Sequence, residues 1–145
     1  MRKMDNKRFS KLTLLRASRT RIPDDPNTAV LEVFENLFPE RDYEIEFDCP
    51  EFTSLCPVTG QPDFGEIKVK YIPNKLCVES KSLKLFLFSF RNFQTFHEES
   101  VNMIADKIYD ACSPRWLEVC GNFNPRGGIS INVRAVKMRK GSGIK

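Results

Sequence analysis

Gly65-Glu66-Ile67-Lys68-Val69-Lys70-Tyr71-Ile72 alternates polar and apolar residues along its length. A period of two puts Ile67, Val69 and Tyr71 on one face and predicts a half-buried β-strand. Upstream, Tyr43-Glu44-Ile45-Glu46-Phe47 repeats the alternation, and the two segments are expected to pair antiparallel. Between them Cys56 to Phe64 holds two prolines and a glycine and reads as a loop. A further strand is predicted over Thr28 to Glu35, after the turn Ile22-Pro23-Asp24-Asp25-Pro26. Downstream, Lys81 to Phe90 satisfies both a two-residue and a helical period in part, and Ser80 as a good N-cap tilts the reading toward a buried helix. Residues 98–112 read as a second helix: Val101, Ile104, Ala105, Ile108 and Cys112 share a face, acids crowd the first turn and Pro114 stops it. Trp116 to Cys120 and Ile129 to Val136 complete the pattern as two strands. This order predicts an α+β fold, an antiparallel β-sheet of about four strands with two helices packed on one face.

The chain has 145 residues, 41% hydrophobic and 29% charged, which suits one globular domain with its own core. We expect a basic N-terminal tail over 1–21 and a single domain over 22–145. The longest apolar run, Leu85 to Phe88, is far shorter than the roughly 20 residues needed to cross a bilayer, and no membrane partner is expected. The N-terminus has no apolar stretch of the secretory kind, so a soluble cytoplasmic protein is expected. Five cysteines, an odd number, argue for reduced thiols rather than a disulfide framework. The net charge of +4 is unevenly distributed. Residues 1–21 hold eight Lys/Arg and one acid and residues 134–145 hold five Lys/Arg and none, leaving an acidic balance between them. A nucleic-acid groove needs clustered cations with interleaved aromatics, and the middle of the chain lacks that surplus.

His97 is the only histidine and the cysteines form no CxxC pair, so no metal site is expected. Cys49, Cys77, Cys112 and Cys120 read as small buried hydrophobes. Cys56 differs, because it opens a proline-stiffened loop whose far end carries Asp63. A thiolate attacks an electrophilic carbon, and the negative charge built on the atom beyond needs a proton from a placed acid. Partial burial of Asp63 would suit that part. In Phe96-His97-Glu98-Glu99, Glu98 is either a first-turn acid or a double acceptor for an amide-like N–H and its adjacent amino group, with Phe96 packing on the ring. Val78-Glu79-Ser80-Lys81-Ser82-Leu83-Lys84 is either a strand end with a helix cap or an anion site for a phosphorylated cofactor. No GxGxxG fingerprint is present.

FTSLCPVTGQPDF (52–64), LCVESKSLKLFLFSFRN (76–92), FHEE (96–99) and NPRGG (124–128) occur in one order. Together they closely resemble the motifs of the QueF family, the small single-module nitrile reductases of queuosine biosynthesis. The resemblance runs over nearly the whole chain after about residue 22. It implies the tunnelling fold (T-fold), and NADPH-dependent reduction of 7-cyano-7-deazaguanine to 7-aminomethyl-7-deazaguanine through a covalent thioimide on Cys56, with Asp63 as proton donor. It implies that Val78, Glu79, Ser80, His97 and Glu98 hold the substrate, and that Ser80, Lys81, Arg126 and Gly127 contact NADPH. It further implies a homodecamer of two stacked pentamers, with no nucleic acid required. GTP cyclohydrolase I shares the implied fold but resembles a zinc enzyme. The QueF-like amidinotransferases keep the Cys and Asp but lack the ESKSLK signature that is intact here.

Overall fold

A computed structural model describes residues 21–141, and these described residues form six strands and two helices. The 1–21 tail therefore lies, apart from Arg21, outside the described residues. Strands β1 (Val33–Glu35), β2 (Ile45–Leu55), β3 (Pro62–Ile72) and β4 (Leu76–Val78) precede helices α1 (Ser80–Phe88) and α2 (His97–Cys112), and β5 (Trp116–Phe123) and β6 (Asn132–Met138) follow. An antiparallel four-stranded sheet runs in the order β2-β3-β5-β6, and β1 pairs with β4 in a second, two-stranded sheet. The fold is α+β, as the order of periodicities predicts.

β3 is central because its pattern is the cleanest. Ile67, Val69 and Tyr71 are fully buried, and they pack with Leu117 and Val119 of β5 under the predicted face of α2. All five predicted residues of that face, Val101, Ile104, Ala105, Ile108 and Cys112, are buried. α2 ends where Ser113 takes a left-handed conformation with φ 44° and Pro114 follows, a helix stop built from a positive-φ residue and a ring that cannot continue it. The β2–β3 ladder is broken between Cys49 and Phe52, where Pro50, which has no N–H to give, sits in a bulge.

Several boundaries differ from expectation. Only Val33–Glu35 of the strand expected over Thr28 to Glu35 is formed, because Asp25 claims the preceding backbone. Its carbonyl accepts from Thr28 and Ala29 N–H and its carboxylate from Asn27 N–H. The loop expected to reach Phe64 ends at Gln61. Pro62 opens β3, the strand position at which a missing N–H costs least. The N-cap of α1 is Glu79 rather than Ser80, since its carboxylate accepts from the N–H groups of Lys81 and Ser82, each at 2.7 Å. The strand expected to stop at Cys120 runs to Phe123 through Gly121, where a Cβ would stand 2.6 Å from Val101 Cγ2. Glycine there marks a close approach rather than a turn. The expected C-terminal basic tail begins inside β6: Arg134 pairs with Glu118 and Lys137 with Asp106. Cys77 and Cys112 are buried, whereas Cys49 and Cys120 are half-buried.

Candidate active site

The loop between β2 and β3 is six residues long and closed by its own backbone. Cys56 N–H donates to the Gln61 carbonyl at 2.8 Å, and Gly60 N–H donates to the Cys56 carbonyl at 2.9 Å. Gly60 has φ +69°, the left-handed turn position that favours glycine. The Thr59 hydroxyl, which accepts from Gln61 N–H, is also hydrogen-bonded to the half-buried Cys56 sulfur. That hydroxyl first, then the N–H groups of Thr59 and Val58, pull the Cys56 thiol down to about 7, against the opposing push of burial and the nearby Asp63 carboxylate. Burial drives other cysteines the opposite way, Cys49 to about 11 and Cys112 to about 12, and it raises Cys120 as well. Cys56 thus holds thiolate near neutral pH while those three stay protonated.

Asp63, the second residue of β3, is 5% exposed. Its Oδ1 pairs with the Arg126 guanidinium, and its Oδ2 lies 3.4 Å from His97 Nε2. The His97 contact lacks hydrogen-bond geometry, so Nε2 is a buried nitrogen without a partner. Arg126 also donates to the Pro62 carbonyl at 3.2 Å. It is aimed by the turn that follows it, where Gly127 (φ +55°) and Gly128 (φ +79°) are the central pair of a tight reversal closed by reciprocal Arg126–Ile129 backbone bonds. His97, the first residue of α2, stacks on Phe123 with ring centroids 3.9 Å apart.

Asp63, His97 and Arg126 therefore meet from β3, α2 and the β5–β6 turn, with Cys56 in the adjoining hairpin loop near enough to feel the Asp63 charge. Glu98 points elsewhere. Its neighbour Glu99 is the residue that caps α2, accepting from Phe96 N–H and the Thr95 hydroxyl, both at 3.2 Å. Glu98 stays exposed, with no side-chain partner among the described residues, and Phe96 beside it is half-exposed. Val78, Glu79, Ser80 and Lys81 form a separate group where β4 enters α1. Val78 is a core residue whose N–H donates to the Tyr71 hydroxyl. The Glu79 carboxyl is burdened by burial, but the N–H groups of Lys81 and Ser82 outweigh this and hold it below its ordinary range.

Two sets of groups expected to contact ligands are also engaged within the chain. The N–H groups at the start of α1, read as an anion site, are already taken by Glu79. Arg126, read as a cofactor contact, is engaged by Asp63. Exposed Ser80 and half-buried Lys81, which has no ion-pair partner among the described residues, remain suited to a phosphate. Ser80 borders a groove of about 320 Å³ between α1 and the bulge of β2, edged by Lys84 and Arg91. Sequence reasoning missed Thr59 and Phe123. The first was legible as a hydroxyl three residues after the cysteine in a turn, the second only from packing.

A thiol lowered to about 7 and a buried aspartate thus occupy one hairpin on an antiparallel α+β frame. The profile described as "QueF-like protein" matches residues 62–142. A Streptococcus mutans protein named NADPH-dependent 7-cyano-7-deazaguanine reductase is 54% identical over 89% of this chain and 80% of its own length. A Bacteroides thetaiotaomicron protein of the same name is 57% identical over 78% of this chain and 75% of its own. The crystal structure of the archaeosine synthase QueF-Like in the apo form superimposes with a TM-score of 0.59 at 22% identity, covering 71% of this chain and 95% of that one, a likeness of fold. The chain belongs to the QueF family.

Proposed function

We propose that this protein is an NADPH-dependent 7-cyano-7-deazaguanine reductase that converts the nitrile to 7-aminomethyl-7-deazaguanine, the step its relatives' name describes. The observation that carries the reading is the Cys56 thiol, lowered to about 7, in a loop whose other end holds buried Asp63. Cys56 thiolate attacks the nitrile carbon, a C–S bond forms, and one π bond of the C≡N group becomes an electron pair on nitrogen. Asp63 donates the proton that this nitrogen takes up, leaving a thioimide. Arg126 holds Oδ1, so Oδ2, on the His97 side, is the oxygen that carries and delivers the proton. NADPH, when bound, would supply a hydride at each of two reductions, and the nitrogen takes its second proton from solvent after the second of them. Between them the sulfur leaves as thiolate, a departure eased by the acidity that made it a nucleophile.

Glu98 accepts the two N–H donors of the deazaguanine edge while His97, Val78, Glu79 and Ser80 border the ring. Ser80 and Lys81 hold cofactor phosphate, with Arg126 and Gly127 at the opposite end of the cofactor. The catalytic domain spans 22–145 and is of the tunnelling type. The free edges of β2 and β6 support ring closure, β2 of one subunit pairing with β6 of the next, and pentameric rings stack into a decamer. Such a ring brings the exposed Glu98 of one subunit toward the Cys56 loop of its neighbour. The enzyme works in the cytoplasm and needs no nucleic acid. In accord, no helix among the described residues is long and apolar enough to cross a membrane. Mixing protein, 7-cyano-7-deazaguanine and NADPH tests the reading. Two NADPH oxidised per nitrile consumed is expected, and no oxidation would overturn it.

A further inference from the structure

Ser54 is fully buried, and its hydroxyl has no hydrogen-bond partner. In the β2–β3 ladder it stands directly opposite Asp63. Opposed residues of an antiparallel pair project from the same face, with Cβ atoms about 4.5–5.5 Å apart. The same face carries Phe52, in contact with Phe123, on which His97 is stacked. The backbone around Ser54 is fixed, because Leu55 N–H donates to Phe93 and its carbonyl accepts from Thr95. Only two buried side-chain polar atoms among the described residues lack a partner, Ser54 Oγ and His97 Nε2, and both flank the one buried carboxylate of the site.

A buried hydroxyl without a partner is costly, which makes two such atoms beside one acid unlike ordinary packing. The acid is where charge changes. Once Asp63 has given its proton to the substrate nitrogen, a full carboxylate remains in a site 5% exposed to solvent. Arg126 already serves Oδ1. We propose that Ser54 is a positioning residue for Asp63, its hydroxyl turning to donate a hydrogen bond to the carboxylate left when the acid has delivered its proton. No atom is transferred to or from Ser54, and the hydroxyl keeps its hydrogen. The charged and titratable groups facing Asp63 are Arg126 from the β5–β6 turn, His97 from α2 and Cys56 across the loop. The inference rests on the reductase reading, in which Asp63 is the acid.

Ser54→Ala separates this role from a structural one. Removing a hydroxyl unpartnered in the resting protein leaves the melting temperature unchanged or raises it. A lost charge-assisted donor lowers kcat by roughly 10- to 100-fold. KM for the nitrile stays near the wild-type value. A merely structural role would lower kcat and the melting temperature together, whereas loss of the donor lowers kcat alone. Ser54→Cys, with a weaker donor in its place, falls between the two. A wild-type kcat in Ser54→Ala, or a loss of kcat accompanied by a lower melting temperature and no recovery in Ser54→Cys, overturns the proposal. If Ser54→Ala does not fold, Ser54→Cys decides: a lowered kcat at unchanged KM and melting temperature supports the proposal, and a wild-type kcat overturns it. Failure of the underlying reading shows instead in the wild type, as no nitrile-dependent NADPH oxidation, and overturns both.

Discussion

The imidazole of His97 lies flat on the ring of Phe123, centroids 3.9 Å apart and planes inclined by 11°. Two glycines make room for that ring. A Cβ at Gly65 would stand 2.9 Å from Phe123 Cδ1, and one at Gly121 would stand 2.8 Å from Phe123 Cε2. The plane of the histidine beside Asp63 is thus set by where β3 and β5 carry no side chain.

Gly121→Ala should therefore displace Phe123 and Val101, destabilising the fold by about 1–3 kcal/mol through overpacking. It should also slow turnover, with the His97 ring signals shifting in NMR spectra. Thermal unfolding together with those spectra checks it. An unchanged His97 environment would show that the stack is set elsewhere.

Alkylation of Cys56 by iodoacetamide should follow the thiolate, rising with pH around a midpoint near 7 and slowing below it. Thr59→Val removes the largest stabiliser of the anion, so the midpoint moves to higher pH. Peptide mapping by mass spectrometry reads both, and Cys56→Ala should yield neither alkylation at that position nor a nitrile adduct.

Asp63→Asn should reduce turnover by about 10²- to 10⁴-fold, the usual range for a lost general acid, with a smaller effect on substrate affinity. Pre-steady-state measurement of adduct formation and steady-state NADPH oxidation give the two readings. Normal turnover would demote Asp63 to an anchor for Arg126.

Glu98→Gln should weaken substrate binding by about 1–3 kcal/mol, since an amide cannot accept both hydrogen bonds. NADPH affinity should hardly change. Calorimetry with each ligand checks this, and the reverse pattern would move Glu98 to the cofactor.

Light scattering should find a closed oligomer, and charged residues placed on the free edge of β6 should dissociate it and abolish activity. Val136 and Met138 on that strand are 40% and 50% exposed, which gives the edge an apolar character. Mixed Cys56→Ala and Glu98→Gln subunits should recover part of the activity once exchanged. A fully active monomer would refute the assembly.

Much of the sheet was legible because a period of two needs nothing beyond the strand itself: Ile67, Val69 and Tyr71 are fully buried. α2 was legible for the same reason at a period of 3.6. What escaped was decided by contacts between distant residues. Gly121 looks like a strand end until Val101 and Phe123 are seen pressing on it. Ser80 looks like the cap of α1 until the Glu79 carboxylate is found on the α1 backbone. That Cys56 and Asp63 lie near one another was readable because both belong to one hairpin. Arg126 reaches the same acid from 63 positions further on, and no local pattern could place it there.

That hairpin has a consequence for how such proteins diverge. On the proposed mechanism, nucleophile and acid are inherited together in eight consecutive residues, Cys56 to Asp63, whose loop is closed by its own backbone. The groups at the starts of α1 and α2 belong to other stretches of the chain. Mutation can therefore alter what is recognised without disturbing the reacting pair, leaving one chemical cassette beneath ancestral and descendant specificities.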